Sequence, residues 1–476
     1  MICKRRFFFK CSWLITGGLF YLNGSLHFLY AQQDVLNGRE IVSGTLPDNP
    51  GGNTYFVDPS LGEDTNDGLT PLKPVKTYLS RKFRGGDKVL FKRGSVIRDM
   101  LHTRDGDKGA PITYGAYGVG EKPAFLGSVS VGDPGKWTEE RPNLWRYDGK
   151  FSSKVCNLVF NGGESCGNLR WDIAALKQPG EWYYTGNSTG DNGGGEAPSN
   201  SALYLCSPNN PGMAYRDIEC VLWGERKLVG GQGNIILENL SFRNSGVHGY
   251  QEFHPHDIVI RACEFRFIGG AVWDSKRRIR FGNAVELWDG ASNVTIERCL
   301  FDNIFDSGVT HQGGGTRNIP EKIFIRNNRF SNCGMAAYEC REPSQEVYFE
   351  GNTCINAGGG FSMQGLLPPR QSEIYPQPMG HHVFIWRIDP GTQPGHVYIR
   401  NNTFSEAPYG AAIYSIIDRA DEQKFVLDNN RYWQTTGEML IHFGGQSYDP
   451  SEFDRYKKDC KQDRHSKIAK PDFIVN

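Results

Sequence analysis

One short pattern of apolar and polar positions recurs along the chain. It reads IILENLSF at 235–242, IVIRACEF at 258–265, VTIERCLF at 294–301, IFIRNNRF at 323–330, VYFEGNTC at 347–354, VYIRNNTF at 397–404 and FVLDNNRY at 425–432. The first and third positions of each unit are apolar with a variable position between them, the alternation of a strand that buries one face. The last positions of successive units lie 23, 36, 29, 24, 50 and 28 residues apart. A constant core with variable connections is the behaviour of a solenoid whose insertions collect on its loops. No unit can bury its apolar face alone, whereas stacking at about 4.8 Å per rung makes one continuous core. The pattern predicts an all-β chain folded as a parallel β-helix.

One column sharpens this reading. The sixth position of the units holds Leu240, Cys263, Cys299, Asn328, Asn352, Asn402 and Asn430, with Phe242, Phe265, Phe301 and Phe330 two places on. Four successive Asn can bond to one another and to turn backbone as a ladder, and Cys263 and Cys299 are small enough for the same corner. A disulfide between those two Cys is the competing reading, disfavoured because parallel side chains in one column rarely reach the required dihedral.

The Asn column, the I-x-R-N-N-x-F units and the stretch TYFVDPSLGEDTNDGLTPLKPVKT resemble the right-handed parallel β-helix proteins of bacterial glycan utilisation, the pectate-lyase-like superfamily. GGDKVLFKRGSVIRDMLHTRDGDKGAPITYGAYG resembles their first coils after a capping segment. The resemblance covers about 54–127 and 232–445. It implies a right-handed parallel β-helix (solenoid) with an N-terminal cap and a small β-rich insertion, acting on a glycan.

The domain organisation follows. Residues 1–31 read as a signal peptide, with Lys4, Arg5, Arg6 and Lys10 before an apolar run that ends at Ala31; a retained membrane anchor is the alternative. A linker occupies 32–53, and the cap and first coils 54–127. Over 128–228 the repeat is lost among Trp137, Trp145, Trp171, Trp182 and neighbouring Tyr, which predicts the β-rich insertion, with one disulfide among Cys156, Cys166, Cys206 and Cys220 open. The main helix spans 229–445, and the charged tail 446–476 reads as a solvated extension or short helix.

Composition narrows the partners. With 58 Gly and 12% aromatics the chain is turn-rich, and removing the four basic residues before Ala31 leaves acids in excess by four. That balance argues against a nucleic-acid partner. An exported, periplasmic or extracellular monomer without a membrane span after signal cleavage is expected. The 12 Cys include no CxxC pair, so no zinc ribbon is expected.

Candidate chemistry lies between the units. Glu286 and Glu339 each stand eight residues before the next unit's first apolar position, and Asp306, His311 and Gln312 fall in the coil between them. If Glu286, His311 and Glu339 share one face on successive rungs, the carboxyls sit about 10 Å apart, which side-chain lean can bring into the range of an inverting glycosidase, about 6.5–9.5 Å. Glu286, Glu339, Asp306 and His311 are therefore the catalytic candidates, as acid, base or tuning groups. Trp288, Trp386 and Tyr414 are candidate sugar platforms, and Asp289, Gln312, Arg341 and Gln364 candidate polar contacts. Arg277 and Arg278, in WDSKRRIR, can recognise an acidic decoration, although charge runs are usually solvated. The His and acids of QEFHPHD lack a second ligand cluster, and no metal site is expected there.

The leading expectation is a glycoside hydrolase acting on a poly- or oligosaccharide without a cofactor. A polysaccharide lyase acting on a uronic-acid glycan, which would bring in Ca²⁺, and a non-catalytic glycan-binding β-helix are the alternatives.

Overall fold

The computed structural model describes residues 51–187, 194–313, 318–341, 344–359, 361, 379–385, 395–417, 419–435 and 439–473. Three long sheets organise residues 54–468. The first has 10 strands from Thr54–Val57 to Phe425–Asp428, the second 10 strands from Val96–Ile97 to Lys467–Ile468, and the third 9 strands from Lys227–Val229 to Gln446–Tyr448. The chain visits them in turn. Ser292–Glu297 lies in the first, Leu300–Ile304 in the second and Ser307–Gln312 in the third, and Glu321–Arg326 returns to the first beside Ser292–Glu297. This is a right-handed parallel β-helix.

The repeat positions stack as their alternation requires. Ile258, Val294, Ile323, Val347, Val397 and Phe425 pair in one continuous register, and all are buried. Each unit then turns into the second sheet through a left-handed residue: Asn239, Ala262, Arg298, Asn327, Gly351, Asn401 and Asn429 all have φ between 52° and 67°. Asn tolerates this conformation better than other side-chain-bearing residues, hence its prevalence at the corner.

The next position carries the ladder. Asn328 Oδ1 accepts from the Cys299 N–H at 2.9 Å, Asn352 Oδ1 from the Asn328 N–H at 2.9 Å, and Asn402 Oδ1 from the Asn352 N–H at 2.9 Å. Each Asn amide also donates to a carbonyl of the preceding coil, as Asn352 does to Ile325 at 2.9 Å. Beside the ladder, Phe242, Phe265, Phe301 and Phe330 stack with centroids 5.2, 5.3 and 4.5 Å apart. Cys263 and Cys299 sit unbridged in the Asn column, the Cys263 N–H donating to Cys299 Sγ at 3.4 Å, and the ten described cysteines are all free.

Two features bracket the main helix. Between Ser128 and Leu222 the chain forms a four-stranded antiparallel sheet and a five-stranded mixed sheet, with a core that includes Trp137, Phe160, Trp182 and Tyr184. At the C-terminal end of the stack the tail carries the short helix that is one of its two readings, and it packs as an end cap rather than a solvated extension. The helix Phe453–Cys460 buries Phe453 and Tyr456, and Asp463 accepts from Asn430 Nδ2 at 3.0 Å, Tyr432 OH at 2.9 Å and Tyr456 OH at 2.8 Å. The cap thereby gives the last rung of the ladder its bonding partner. No helix among the described residues is long and apolar enough to cross a membrane.

Candidate active site on the third sheet

The third sheet places its odd and even positions on opposite faces. Val285, Leu287, Val309, Tyr338, Cys340, Val383 and Ile385 point into the core. The residues between them form an outer column in unbroken register: Gln251, Glu286, Thr310, Glu339, Phe384, Tyr414 and His442. Glu286 and Glu339 therefore stand two rungs apart on one face, separated by Thr310.

His311 is not between them. It pairs with Leu287 and Cys340 and faces inward, fully buried, its Nε2 2.8 Å from Tyr338 OH. The expectation that it shares the carboxyl face is corrected by a single residue: in a strand, a slip of one reverses the face. Burial also pushes its pKa down to about 4, so it is neutral.

A network holds the two carboxyls. Asn283 Nδ2 and Gln312 Nε2 both donate to Glu286, and Arg341 donates to Gln312. Ser307 Oγ donates to Glu339 at 2.9 Å, and the Ser307 N–H donates to Asn283 Oδ1 at 2.8 Å. Asn283 and Ser307 thus link one carboxyl to the other. His248 lies behind them; its Nδ1 accepts from the Asn283 N–H at 3.1 Å, and burial pushes its pKa down to about 3, so it too is neutral.

Electrostatics separates these acids from ordinary ones. Burial raises Glu286 from the usual carboxylate range to about 8, with the charge of Glu339 adding to the shift and the Asn283 and Gln312 donors opposing it. Glu339 is also raised by burial and by Asp306, against the pull of Arg341 and Ser307. Asp306 lies in the turn before Ser307–Gln312, its Oδ2 accepting from the Gly282 N–H at 2.7 Å. Glu286 is 0% exposed and Glu339 3%. Two neighbouring buried carboxyls that are both raised, Glu286 partly by Glu339 and Glu339 partly by Asp306, mark a candidate site for proton handling.

The chain matches no family model. A segment is 30% identical over 129 residues to a lacto-N-biosidase of Bifidobacterium longum subsp. longum, covering 25% of this chain and 8% of that protein, so the chain spans only a small part of the curated relative's length. Among solved structures, the GH136 lacto-N-biosidase of Eubacterium ramulus is similar over 87% of this chain and 68% of its own, at 13% identity and a TM-score of 0.45. The xylose complex of XylC is similar over 87% of this chain and 82% of its own, at 10% identity and a TM-score of 0.47.

The other sequence candidates fall into three groups. Trp288 and Gln312 lie near Glu286 on the third sheet, paired with each other, while Tyr414 lies two rungs beyond Glu339, stacked between His381 at 4.3 Å and His442 at 4.6 Å. Arg341 joins them through Gln312. Asp289 follows the end of the strand Val285–Trp288, its Oδ2 3.1 Å from His254 Nε2, and Arg277 is paired with Asp274 at 3.0 Å beside an exposed Arg278, on the hairpin of Ala271–Asp274 and Ile279–Phe281. Gln364 and Trp386 lie outside the described residues.

Sequence reasoning missed Gln251, Asn283, Ser307, Thr310 and Phe384. A signal for two of them was present: Gln251, Thr310 and Glu339 each stand nine residues after the stacked Phe242, Phe301 and Phe330. Counting forward from that column finds Thr310 as the true partner of both carboxyls. Counting back from the following unit fails because the connection after Gln312 is longer than its counterparts.

Proposed function

We propose that this protein is an exported glycoside hydrolase that cleaves a poly- or oligosaccharide with Glu286 and Glu339. The observation that carries the reading is the outer column itself: two buried carboxyls two rungs apart, one held protonated up to about pH 8. Glycoside hydrolysis needs a carboxylic acid to protonate the leaving oxygen and a carboxylate to activate water or attack carbon. Glu286 takes the acid role because burial and the facing Glu339 keep its proton on at neutral pH. Glu339, with Arg341 and Ser307 favouring its charge, takes the base role.

Two rungs separate the backbones by about 10 Å, and carboxyls leaning toward each other fall in the separation of inverting enzymes, about 6.5–9.5 Å. A substrate reaches Glu286 by displacing Gln312, whose amide is bonded to it and whose own partner is Arg341. Gln312, turned from Glu286, then offers its amide to sugar hydroxyls beside Arg341. These steps call on no cofactor. The similarity to a lacto-N-biosidase over 129 residues supports the choice of hydrolysis over elimination. Export follows from the basic and apolar residues before Ala31, and a mature N-terminus found near residue 32 by mass spectrometry is the expected result.

The test is incubation of the purified protein with pectic, hemicellulosic, host-type and glycosaminoglycan oligosaccharides. New reducing ends without absorbance of an unsaturated uronide, and an inverted anomer in the fresh product by proton NMR, are expected. Absorbance appearing with the products would establish a lyase instead.

A further inference from the structure

A groove lies one rung before Glu286, beside Gln251, Phe253 and Trp288. It is continuous with the candidate active site in two columns. Gln251 pairs with Glu286 in the carboxyl column, and Phe253 pairs with Trp288, which pairs with Gln312, in the column next to it. A glycan laid along the helix axis across Glu286 and Glu339 therefore runs directly into this groove, about 4.8 Å further on for each rung.

The groove has the two parts of a sugar subsite. Its apolar part is Phe253, which is 52% exposed, with its ring stacked on Trp288 at 6.0 Å and 16°. An exposed large aromatic at the end of a β-helix strand gains nothing from the core, whereas it can bury the apolar face of a pyranose. Its polar part is the segment Glu225, Arg226 and Lys227. Lys227 is neutralised by Glu252 at 3.0 Å, while Arg226 is exposed, sits in a left-handed turn at φ 68° and makes no ion pair among the described residues. Exposed Glu225 beside it balances its charge.

From this arrangement we infer that the groove at Phe253, Gln251 and Arg226 is a distal subsite for an uncharged pyranose of the bound glycan. The ring stacks on Phe253, and the Arg226 fork and the Gln251 amide donate to its hydroxyls. The inference rests on the hydrolase reading for the path of the chain, and it specifies the substrate further: an oligosaccharide extending past the scissile bond with a neutral residue, in contrast to a glycan acidic at every position. With one exposed cation offset by one exposed anion, a uronate gains little there.

Calorimetric titration separates this from the hydrolase reading. Ladders of neutral gluco-, xylo- and galacto-oligosaccharides, from disaccharide to hexasaccharide, and a matching oligogalacturonate ladder are titrated into Glu286→Gln protein, in which the hydrolase reading expects turnover to be slowed. On one neutral ladder affinity is expected to step up with length, and Phe253→Ala in the same background to remove that step, a loss of about tenfold for the longer members. Phe253 lies outside the core, so its variant folds, and Arg226→Ala is expected to give a smaller loss in the same members. Length-independent affinity, an undiminished step in Phe253→Ala, binding of the acidic ladder alone, or no binding on any ladder would overturn the subsite. Wild-type protein that shows the step but releases no reducing ends would defeat the hydrolase reading and leave the subsite standing.

Discussion

Glu286 is a carboxylic acid kept neutral in a place where its ionised form would be poorly solvated. Its pKa of about 8 against an ordinary value near 4.5 has a consequence for stability. Below about pH 4.5 the folded and unfolded states are both protonated there; between that value and about 8 the unfolded chain gives up its proton while the folded one retains it. Stability is therefore present in full at low pH and is lost as pH rises through this window. Thermal melts of wild type and Glu286→Gln across the window are expected to converge at the acid end, with the wild type falling behind as pH rises; parallel curves would remove the raised pKa from the account. At this scale the sequence was partly readable. Spacing to the next strand exposes both carboxyls, but it puts His311 on their face because the longer connection after Gln312 hides a shift of one residue, and one residue is the whole difference between core and surface in a strand.

The first-sheet strand and the corner after it are the most legible elements, because the interior there tolerates only apolar residues and the corner favours Asn. Both constraints act on single positions, so they survive as a pattern through connections of any length. The third sheet carries the proposed site on its outer face, where no packing rule fixes the residue type, and its strands can be placed only by counting from the sheets before it. The ladder invites a direct test. Asn352→Ala removes the acceptor for the Asn328 N–H and a side-chain donor to the Ile325 carbonyl, leaving a buried backbone N–H unpaired and opening a gap in the column. The expected loss is about 3 kcal/mol, measured as a lower urea midpoint with an unchanged slope. A midpoint within error of wild type would mean that the ladder is spectator to the stack.

Over residues 54–468 the β-helix is a stack whose C-terminal end is closed by a cap, of which the sequence shows a charged tail with a short helix as one of its two readings. The tail's apolar residues are few, and its decisive group, Asp463, is a buried acid that accepts from Asn430, Tyr432, Tyr456 and Ser466. Such a residue has no periodic signature. Asp463→Ala is expected to loosen the end of the stack first: hydrogen exchange in Phe425–Asp428 and Arg431–Trp433 accelerates, while the strands that carry Glu286 and Glu339 stay protected. Uniform acceleration would show instead that the helix unfolds as one unit.

The measurement that bears most directly on the central claim is reducing-end release by wild type, Glu286→Gln, Glu339→Gln and Asp306→Asn on the best substrate of the oligosaccharide panel. The account predicts that each Glu variant loses at least about a hundredfold in rate while folding normally, with Asp306→Asn keeping more activity than either. Near-wild-type release by either Glu variant, or activity lost only in Asp306→Asn, would contradict it.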